Sequence, residues 1–273
     1  MVADRGLGVG IGGFGAIGMA VGRTLDAGYI PGMYLAAVSA KDQSGAAARM
    51  ADYVKQAPVM ELSALADHSD VVIECAPASV FRDVAEAVVE KGRIFMPLSC
   101  GQMLNHMDLV DRAKETGARI VVPTGALLGL DAVRGAAEGE IESVTMVTRK
   151  PPGGLEGAPH LVENNIDVRD LSEALLVFDG SAREAVRGFP ANVNVAVALS
   201  LAGIGPDRTT IQVWADPGVT RNTHTIKVEA DSVRFEMTIE NVPSRENPRT
   251  GALTPLSTIA ALRSLVQPLK VGT

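Results

Sequence analysis

The chain is poor in aromatic residues and cysteine, and it has no long uncharged hydrophobic run. Phe, Tyr and Trp make up 4% of its 273 residues, which argues against the stacking platforms that bind single-stranded nucleic acid. Its two cysteines, Cys75 and Cys100, imply no disulfide framework. Without an apolar stretch of about 18 residues, the sequence predicts neither a transmembrane helix nor a signal peptide. We therefore expect a cytoplasmic protein.

The charge and the spacing of reactive residues exclude several further classes of function. The net charge is −7 and no cluster of Lys and Arg is evident, which argues against a nucleic-acid or membrane partner. The sequence contains no H-x-x-x-H or C-x-x-C spacing for a metal and no G-x-S-x-G nucleophile elbow. What remains is a globular protein with a small-molecule substrate and no metal.

A glycine-rich stretch near the start carries the first positive signal. The apolar run Leu7–Ile11 is typical of a buried parallel strand, and a helical pattern follows it. Between them lies Gly13-x-Gly15-x-x-Gly18, which in this context indicates a dinucleotide site. An overlapping match begins at Gly10, but the later register leaves a full strand before the turn. A glycine turn with a packing role only is the alternative. The predicted cofactor contacts here are Gly13, Gly15, Ala16 and Ile17.

The end of the second predicted strand bears on the choice of cofactor. NAD sites usually place an acidic residue there, where it binds the ribose 2′-hydroxyl. This chain has Ser39, followed by Lys41 and Asp42. Serine with a nearby lysine suits a 2′-phosphate, whereas Asp42 can reach a hydroxyl. Both NAD and NADP therefore stay open, with Ser39 as a predicted cofactor contact.

Strands that alternate with helices up to about residue 125 predict an α/β fold with a doubly wound parallel sheet. Ligands of such sheets bind at the carboxyl ends of the strands. Segments 74–77, 99–101 and 124–126 are such strand ends, so they are candidates to line the nicotinamide, with Cys75 and Ala76 as predicted contacts. Each of them alone is more often an ordinary turn.

The second half changes character. Ile141–Thr148 alternates apolar and polar residues, and three more strand-like runs follow between residues 209 and 240. This pattern predicts an α+β domain with an open mixed sheet. The irregular, Pro- and Gly-rich segment 151–170 is interpreted as a lid or substrate loop.

Two polar groups in this half are candidates for chemistry. Period-two alternation puts Asn222 and His224 on one face of a strand, and imidazole exchanges protons near neutral pH. A structural histidine is the alternative. Asn192 and Asn194 in the segment 189–196 either cap a helix or contact a ligand. The connection 240–251 is either a linker or, through its Ser, Asn and Arg, a carboxylate site.

Several short motifs in order along the chain resemble the L-aspartate dehydrogenase family: Gly13-Phe-Gly-Ala-Ile-Gly18, Pro123-Thr-Gly-Ala-Leu-Leu-Gly-Leu-Asp131, Thr148-Arg-Lys-Pro-Pro152, Phe189-Pro-Ala-Asn-Val-Asn-Val-Ala196, Arg221-Asn-Thr-His224 and Glu240-Asn-Val-Pro-Ser244. The resemblance implies a Rossmann domain (1–125 and 242–273, including a returning C-terminal helix), an α+β substrate-binding and dimerisation domain (126–241), and a homodimer. The chain departs from the family at Leu128-Gly129, where Gly-Gly is usual, and at Ser39, where an acidic residue is frequent.

The resemblance also implies a reaction: the NAD(P)-dependent oxidative deamination of L-aspartate, through iminoaspartate, to oxaloacetate and ammonia. In that family the iminoaspartate can feed NAD biosynthesis. The family's active-site histidine falls on His224 and its cofactor contacts on Ala126 and Asn194.

We expect His224 to act as the general acid/base, oriented by Asn222. The substrate carboxylates need cationic partners, for which Arg149, Lys150, Arg221 and Arg245 are candidates, and alternation turns Arg221 away from His224. Our substrate-binding candidates are Lys150, Asn222 and Arg245. The rival hypotheses are another amino-acid dehydrogenase, a dihydrodipicolinate reductase-like enzyme, and a non-catalytic NAD(P)H sensor.

Overall fold

A computed structural model describes residues 6–190, 193–244 and 251–272. The chain divides into two compact units, which we call the first unit (Met1–Pro123 with Thr254–Lys270) and the second unit (Thr124–Leu253 with Val271–Thr273). The amide of Ala252 donates to the carbonyl of Val242 over 2.8 Å, and both residues fall in the second unit.

The first unit is an alternation of strands and helices. Its strands are β1 (Leu7–Gly12), β2 (Met33–Ser39), β3 (Val71–Glu74), β4 (Ile94–Pro97) and β5 (Arg119–Ile120). The helices that precede β5 are α1 (Ala16–Asp26), α2 (Gln43–Arg49), α3 (Leu65–His68), α4 (Phe81–Glu90) and α5 (Asp108–Thr116). Helix α5 is preceded by a 3-10 turn over Cys100–Asn105.

The strands of the first unit pair in parallel in the order β2-β1-β3-β4-β5. Val59 adds a single parallel bridge to Val38 at the outer edge of β2. This is the edge at which a six-stranded Rossmann sheet has its one additional strand. The chain leaves β1 for β2 and returns to β3 on the other side of β1. The carboxyl ends of β1 and β3 therefore form the switch point at which such sheets bind ligands.

The second unit contains an open mixed sheet with helices on one of its faces. Its elements are α6 (Leu130–Ala136), β6 (Ile141–Lys150), α7 (Pro159–Glu163), β7 (Leu175–Ser181), α8 (Ala182–Gly188), α9 (Asn194–Ala202), β8 (Thr209–Ala215), β9 (Thr223–Ala230) and β10 (Arg234–Glu240). The strand order is β10-β9-β6-β8-β7, with only the β6–β8 pair parallel. The predicted α/β class, with a parallel sheet followed by a mixed one, is confirmed. Segment 151–170, predicted as irregular, includes α7, whose Leu161 is buried.

The two faces of this second sheet differ in burial, and the difference places the candidate site. Along β6 the side chains at 144, 146, 148 and 150 are buried, while those between them are half-buried. The buried face, which we call the inner face, packs against α8 and α9. It is apolar along most of its length, and its buried polar residues include Thr148 and Lys150 at the carboxyl end of β6, His224 at the start of β9 and Thr209 at the start of β8.

The last helix, α10 (Leu253–Ser264), packs into the first unit. Its Leu262 is fully buried in the core cluster that includes Val9 and Ile11 of β1. Helices cover both faces of the parallel sheet in the first unit, which explains why strands β1 to β4 are apolar on both sides. No helix among the described residues is long and apolar enough to cross a membrane.

Candidate active site

The glycine-rich turn after β1 has the geometry that the later register predicts. Gly13 has φ = 103°, a conformation that only glycine adopts easily. A Cβ on Gly13 would lie 2.4 Å from the carbonyl oxygen of Cys75. The amide of Gly13 donates to the carbonyl of Ser39 over 2.9 Å. This one residue is therefore held between the ends of β2 and β3, at the switch point of the sheet.

The start of α1 fits an anionic diphosphate. Gly15 is the N-cap residue, no side chain caps the helix among the described residues, and no acidic residue lies in the first turn with Ala16 and Ile17. Apart from its two chain neighbours, no atom of the described residues lies within 4 Å of the position of a Cβ on Gly15, whereas a Cβ on Gly18 would lie 2.2 Å from the carbonyl oxygen of Gly13. The helix thus packs on the turn, while its first amides are left for an anion.

A buried carboxylate joins the ends of β3 and β4. Glu74 is fully buried. Its carboxylate accepts hydrogen bonds from the amide of Ala76 (3.0 Å) and from the amide and hydroxyl of Ser99 (both 3.0 Å). Burial raises the pKa of Glu74, although these hydrogen bonds oppose the rise. Glu74 therefore fixes the backbone of both strand-end segments that the sequence predicts to line the nicotinamide.

Cys75 lies in the same corner as Gly13. Its thiol donates to the carbonyl of Gly13 with an Sγ to O distance of 2.9 Å. Burial, together with the charge of Glu74, raises the pKa of the Cys75 thiol. A thiol held in this way supports the turn and has no thiolate character near neutral pH.

The end of β2 offers no unengaged carboxylate for a ribose. Ser39 is buried there. Asp42, the acidic candidate, caps α2 instead: its carboxylate accepts from the amide of Gly45 (2.9 Å) and the hydroxyl of Ser44 (3.0 Å). Hydrogen bonding to Gly45 and Ser44 lowers the pKa of Asp42.

The second unit brings His224 and Thr148 together on the inner face of its sheet. The two residues are directly opposite each other on β9 and β6, and each is 4% exposed. The Oγ1 atom of Thr148 lies 3.0 Å from Nδ1 of His224. Burial and the nearby charge of Lys150 lower the pKa of His224 from 6.5 to about 4. His224 is therefore a neutral imidazole at neutral pH, held through one ring nitrogen.

Lys150 is two residues beyond Thr148 on β6, so its side chain shares the inner face. It is 5% exposed, and burial lowers its pKa from 10.5 to about 8. Lys150, Thr148 and Val193, which precedes α9, line one enclosed cavity. An ammonium group in such a setting suits a carboxylate, since a counter-ion offsets the cost of burying the charge.

The other cationic candidates do not share this face among the described residues. Arg149 points to the opposite face, where it pairs with Asp216 (2.8 Å) and lies 4.8 Å from the ring centre of Trp214. Arg221 is exposed before β9 begins. Arg245 lies outside the described residues. Among the described candidates, Lys150 is the one on the face of His224.

The remaining predicted residues lie in the second unit. Asn222 is half-buried and immediately precedes β9, and its carbonyl accepts the amide of Asn241 over 2.9 Å. Asn194 is exposed as the first residue of α9, and the N-cap residue is Val193. The predicted capping role therefore does not apply to Asn194. Ala126 lies beside Gly251, where an added Cβ would be 3.5 Å from the Cβ of Ala126.

Sequence reasoning missed Thr148 and Asn241. The signal for Thr148 was present, because it belongs to the alternating run that ends at Lys150 and is a polar residue in an apolar position of that run. Asn241 gave no such signal, because its burial depends on the pairing of β10 with β9. Among the described residues, no group of three or more His, Cys, Asp or Glu is placed to hold a metal.

Comparison with known proteins matches both halves of the chain to described families. Residues 131–265 match the family described as aspartate dehydrogenase, C-terminal, and residues 13–123 match the NAD-binding domain of homoserine dehydrogenase. The chain is 52% identical to L-aspartate dehydrogenase 3 of Bordetella bronchiseptica, with 98% of both chains covered. It is 42% identical to the L-aspartate dehydrogenase of Methanocella arvoryzae, with 97% of this chain and 99% of that protein covered.

A solved structure has the same fold. The aspartate dehydrogenase of Thermotoga maritima superposes with a TM-score of 0.75 at 22% identity, covering 97% of this chain and 99% of that one. The first unit is thus an NAD-binding domain, and the second matches the C-terminal domain of aspartate dehydrogenases over most of its length. The chain belongs to the L-aspartate dehydrogenase family.

Proposed function

We propose that the protein catalyses the NAD(P)-dependent oxidative deamination of L-aspartate, through iminoaspartate, to oxaloacetate and ammonia. The observation that carries the proposal is the neutral His224 beside Lys150 on one buried sheet face. An imidazole that stays unprotonated can accept a proton from an amine or a water. A buried ammonium on the same face can hold a carboxylate.

The dinucleotide, when bound, supplies the hydride acceptor, whose chemistry is its own. Gly13, Gly15 and the first amides of α1, those of Ala16 and Ile17, hold its diphosphate, and Cys75, Ala76, Ala126 and Asn194 are the proposed further contacts. Gly15 fits this role because the space around its Cβ position is open.

His224 acts as the general base in this proposal. If the Nδ1–H of His224 donates to Thr148 Oγ1, the lone pair of Nε2 is left to take a proton from the substrate ammonium. Once that proton has passed to solvent, Nε2 can take a second one from the water that attacks the imine. Lys150 binds a substrate carboxylate, and Asn222, two residues before His224, is a proposed second polar contact. Because the carboxylate stabilises the ammonium form, substrate raises the pKa of Lys150 above its value of about 8.

We propose that both NADH and NADPH bind. Ser39 carries no charge to repel a 2′-phosphate, and the carboxylate of Asp42 is engaged in capping α2. Equilibrium titration of the two reduced cofactors, followed by nicotinamide fluorescence, tests this. Dissociation constants within about tenfold of each other support it, and a much larger preference for NADH contradicts it.

The assembly and the pathway are proposals that rest on the family. We propose a homodimer, which light scattering after size exclusion tests directly. We also propose that the iminoaspartate formed here can supply NAD biosynthesis. Trapping of the imine by a downstream condensing enzyme, before it hydrolyses, is the corresponding test.

The decisive experiment measures initial rates at 340 nm with L-aspartate, and in reverse with oxaloacetate and ammonia, using each cofactor. A panel of other amino and keto acids separates L-aspartate oxidation from the activity of another amino-acid dehydrogenase. Dihydrodipicolinate reduction tests the other enzymatic alternative. A non-catalytic sensor would bind NAD(P)H and turn over no member of the panel.

A further inference from the structure

Asn241 is a buried amide whose side chain makes no hydrogen bond to any residue that the structure describes. It directly follows β10 and is 6% exposed. Neither its Nδ2 nor its Oδ1 has a hydrogen-bond partner among the described residues. Buried polar groups are nearly always paired, because an unpaired one loses its hydration without compensation. The proposed mechanism makes no use of this side chain.

The pairing of the strands places Asn241 on the face of His224. Ile239 is directly opposite His224 in the β9–β10 ladder, and Asn241 is two residues further on, on the same side. Its backbone amide donates to the carbonyl of Asn222. Asn241 therefore extends the row of polar inner-face residues from β6 and β9 to the end of β10.

The position of the amide oxygen is also defined. A Cβ added to Gly251 would lie 3.4 Å from Oδ1 of Asn241 and 3.5 Å from the Cβ of Ala126. The position that a side chain of residue 251 would occupy is therefore bordered by Oδ1 of Asn241, a buried acceptor with no partner among the described residues.

We propose that Asn241 binds the α-amino-acid group of the substrate, with Nδ2 donating to a carboxylate and Oδ1 accepting from the amino group. This inference rests on the proposed function, and it deepens it by adding a substrate-binding residue. An α-amino acid offers an acceptor and a donor side by side, which matches the two unsatisfied ends of one amide. Lys150 on the same face then holds the second carboxylate.

The test is Asn241→Leu, which keeps the side-chain size and removes both polar atoms. In this variant the KM for L-aspartate rises tenfold or more, while the dissociation constant for NADPH changes less than twofold. Without ligand the melting temperature stays the same or rises, since no paired group is lost. Thr238→Val on the exposed face of β10 is the matched control, and its KM is expected to be that of the unaltered chain.

Three results overturn the inference. An unchanged KM shows that the amide does not bind substrate. A lower melting temperature without ligand shows that it has a structural partner. Weaker binding of NADPH with unchanged binding of ADP-ribose assigns the amide to the nicotinamide carboxamide instead. If Asn241→Leu does not fold, Asn241→Ser is measured in the same way.

The failure of the proposed function is distinguishable from these outcomes. If the unaltered chain does not oxidise L-aspartate, the activity assigned above is wrong. The melting temperature of Asn241→Leu then still reports whether the amide is unpaired in the free protein, and a decrease overturns the inference by itself.

Discussion

The buried imidazole of His224 predicts a specific dependence of stability on pH. Its pKa is lowered from 6.5 to about 4 in the folded protein, so the unfolded chain binds a proton more readily between those values. The stabilisation is therefore fully present above pH 6.5 and is lost as the pH falls towards 4. From the linkage relation, the loss between pH 7 and pH 4.5 is about 2 kcal/mol.

His224→Asn removes this titration. Between pH 7 and pH 4.5, the free energy of unfolding of the unaltered chain should therefore fall by about 2 kcal/mol more than that of the His224→Asn variant. The single tryptophan, Trp214, lies on β8 of the same unit, so its fluorescence during urea unfolding follows this unit. The control His68→Asn removes an exposed imidazole and should show the unaltered dependence on pH. Equal pH dependence of His224→Asn and the unaltered chain would refute the reasoning.

Four further predictions concern the candidate site. Thr148→Val removes the hydroxyl that contacts His224 and should lower kcat about fivefold, the equivalent of one hydrogen bond of about 1 kcal/mol, whereas Thr148→Ser should retain most of it; steady-state kinetics would decide this. Lys150→Met should raise the KM for L-aspartate between about tenfold and 100-fold, since a charged hydrogen bond contributes about 1.5–3 kcal/mol, and titration should show unchanged cofactor affinity. Gly15→Ala should fold normally but bind NADPH more weakly, because its Cβ occupies only the space left for the diphosphate. Gly13→Ala, by contrast, should lower the melting temperature, because its Cβ meets the backbone of Cys75.

The dinucleotide half was predictable because its signals are local. The glycine turn, the alternation of strand and helix and the resulting class all follow from contiguous residues. In the structure Gly13 forms the tight turn, Gly15 is the N-cap of α1 and Gly18 packs on the turn. Asp42 shows the limit of such reasoning. Its position suggested a ribose contact, but its side chain caps α2. Choosing between these two roles requires knowing at which residue α2 begins.

The second half was predictable only in part, because its site depends on pairing between distant strands. Alternation alone put Asn222 and His224 on one face. The ranking of Lys150 above Arg149 required knowing which face of β6 is buried, and that depends on the helices packed against it. The bond between Thr148 and His224 joins residues 76 apart in sequence. No local pattern specifies such a contact.

The opposite directions of Arg149 and Lys150 have a consequence for how this chain can change. Because side chains along a strand alternate, inserting or deleting one residue in β6 just before Thr148 would exchange the two cations between the faces. The broad, forked guanidinium would then take the place of the ammonium beside a mostly apolar cavity, and Thr148 would lose His224. The irregular pairing between Ile141 and Ser143 at the start of β6 is the nearest place where an extra residue can be absorbed without this exchange. Length variation in this strand should therefore be confined to its first three residues.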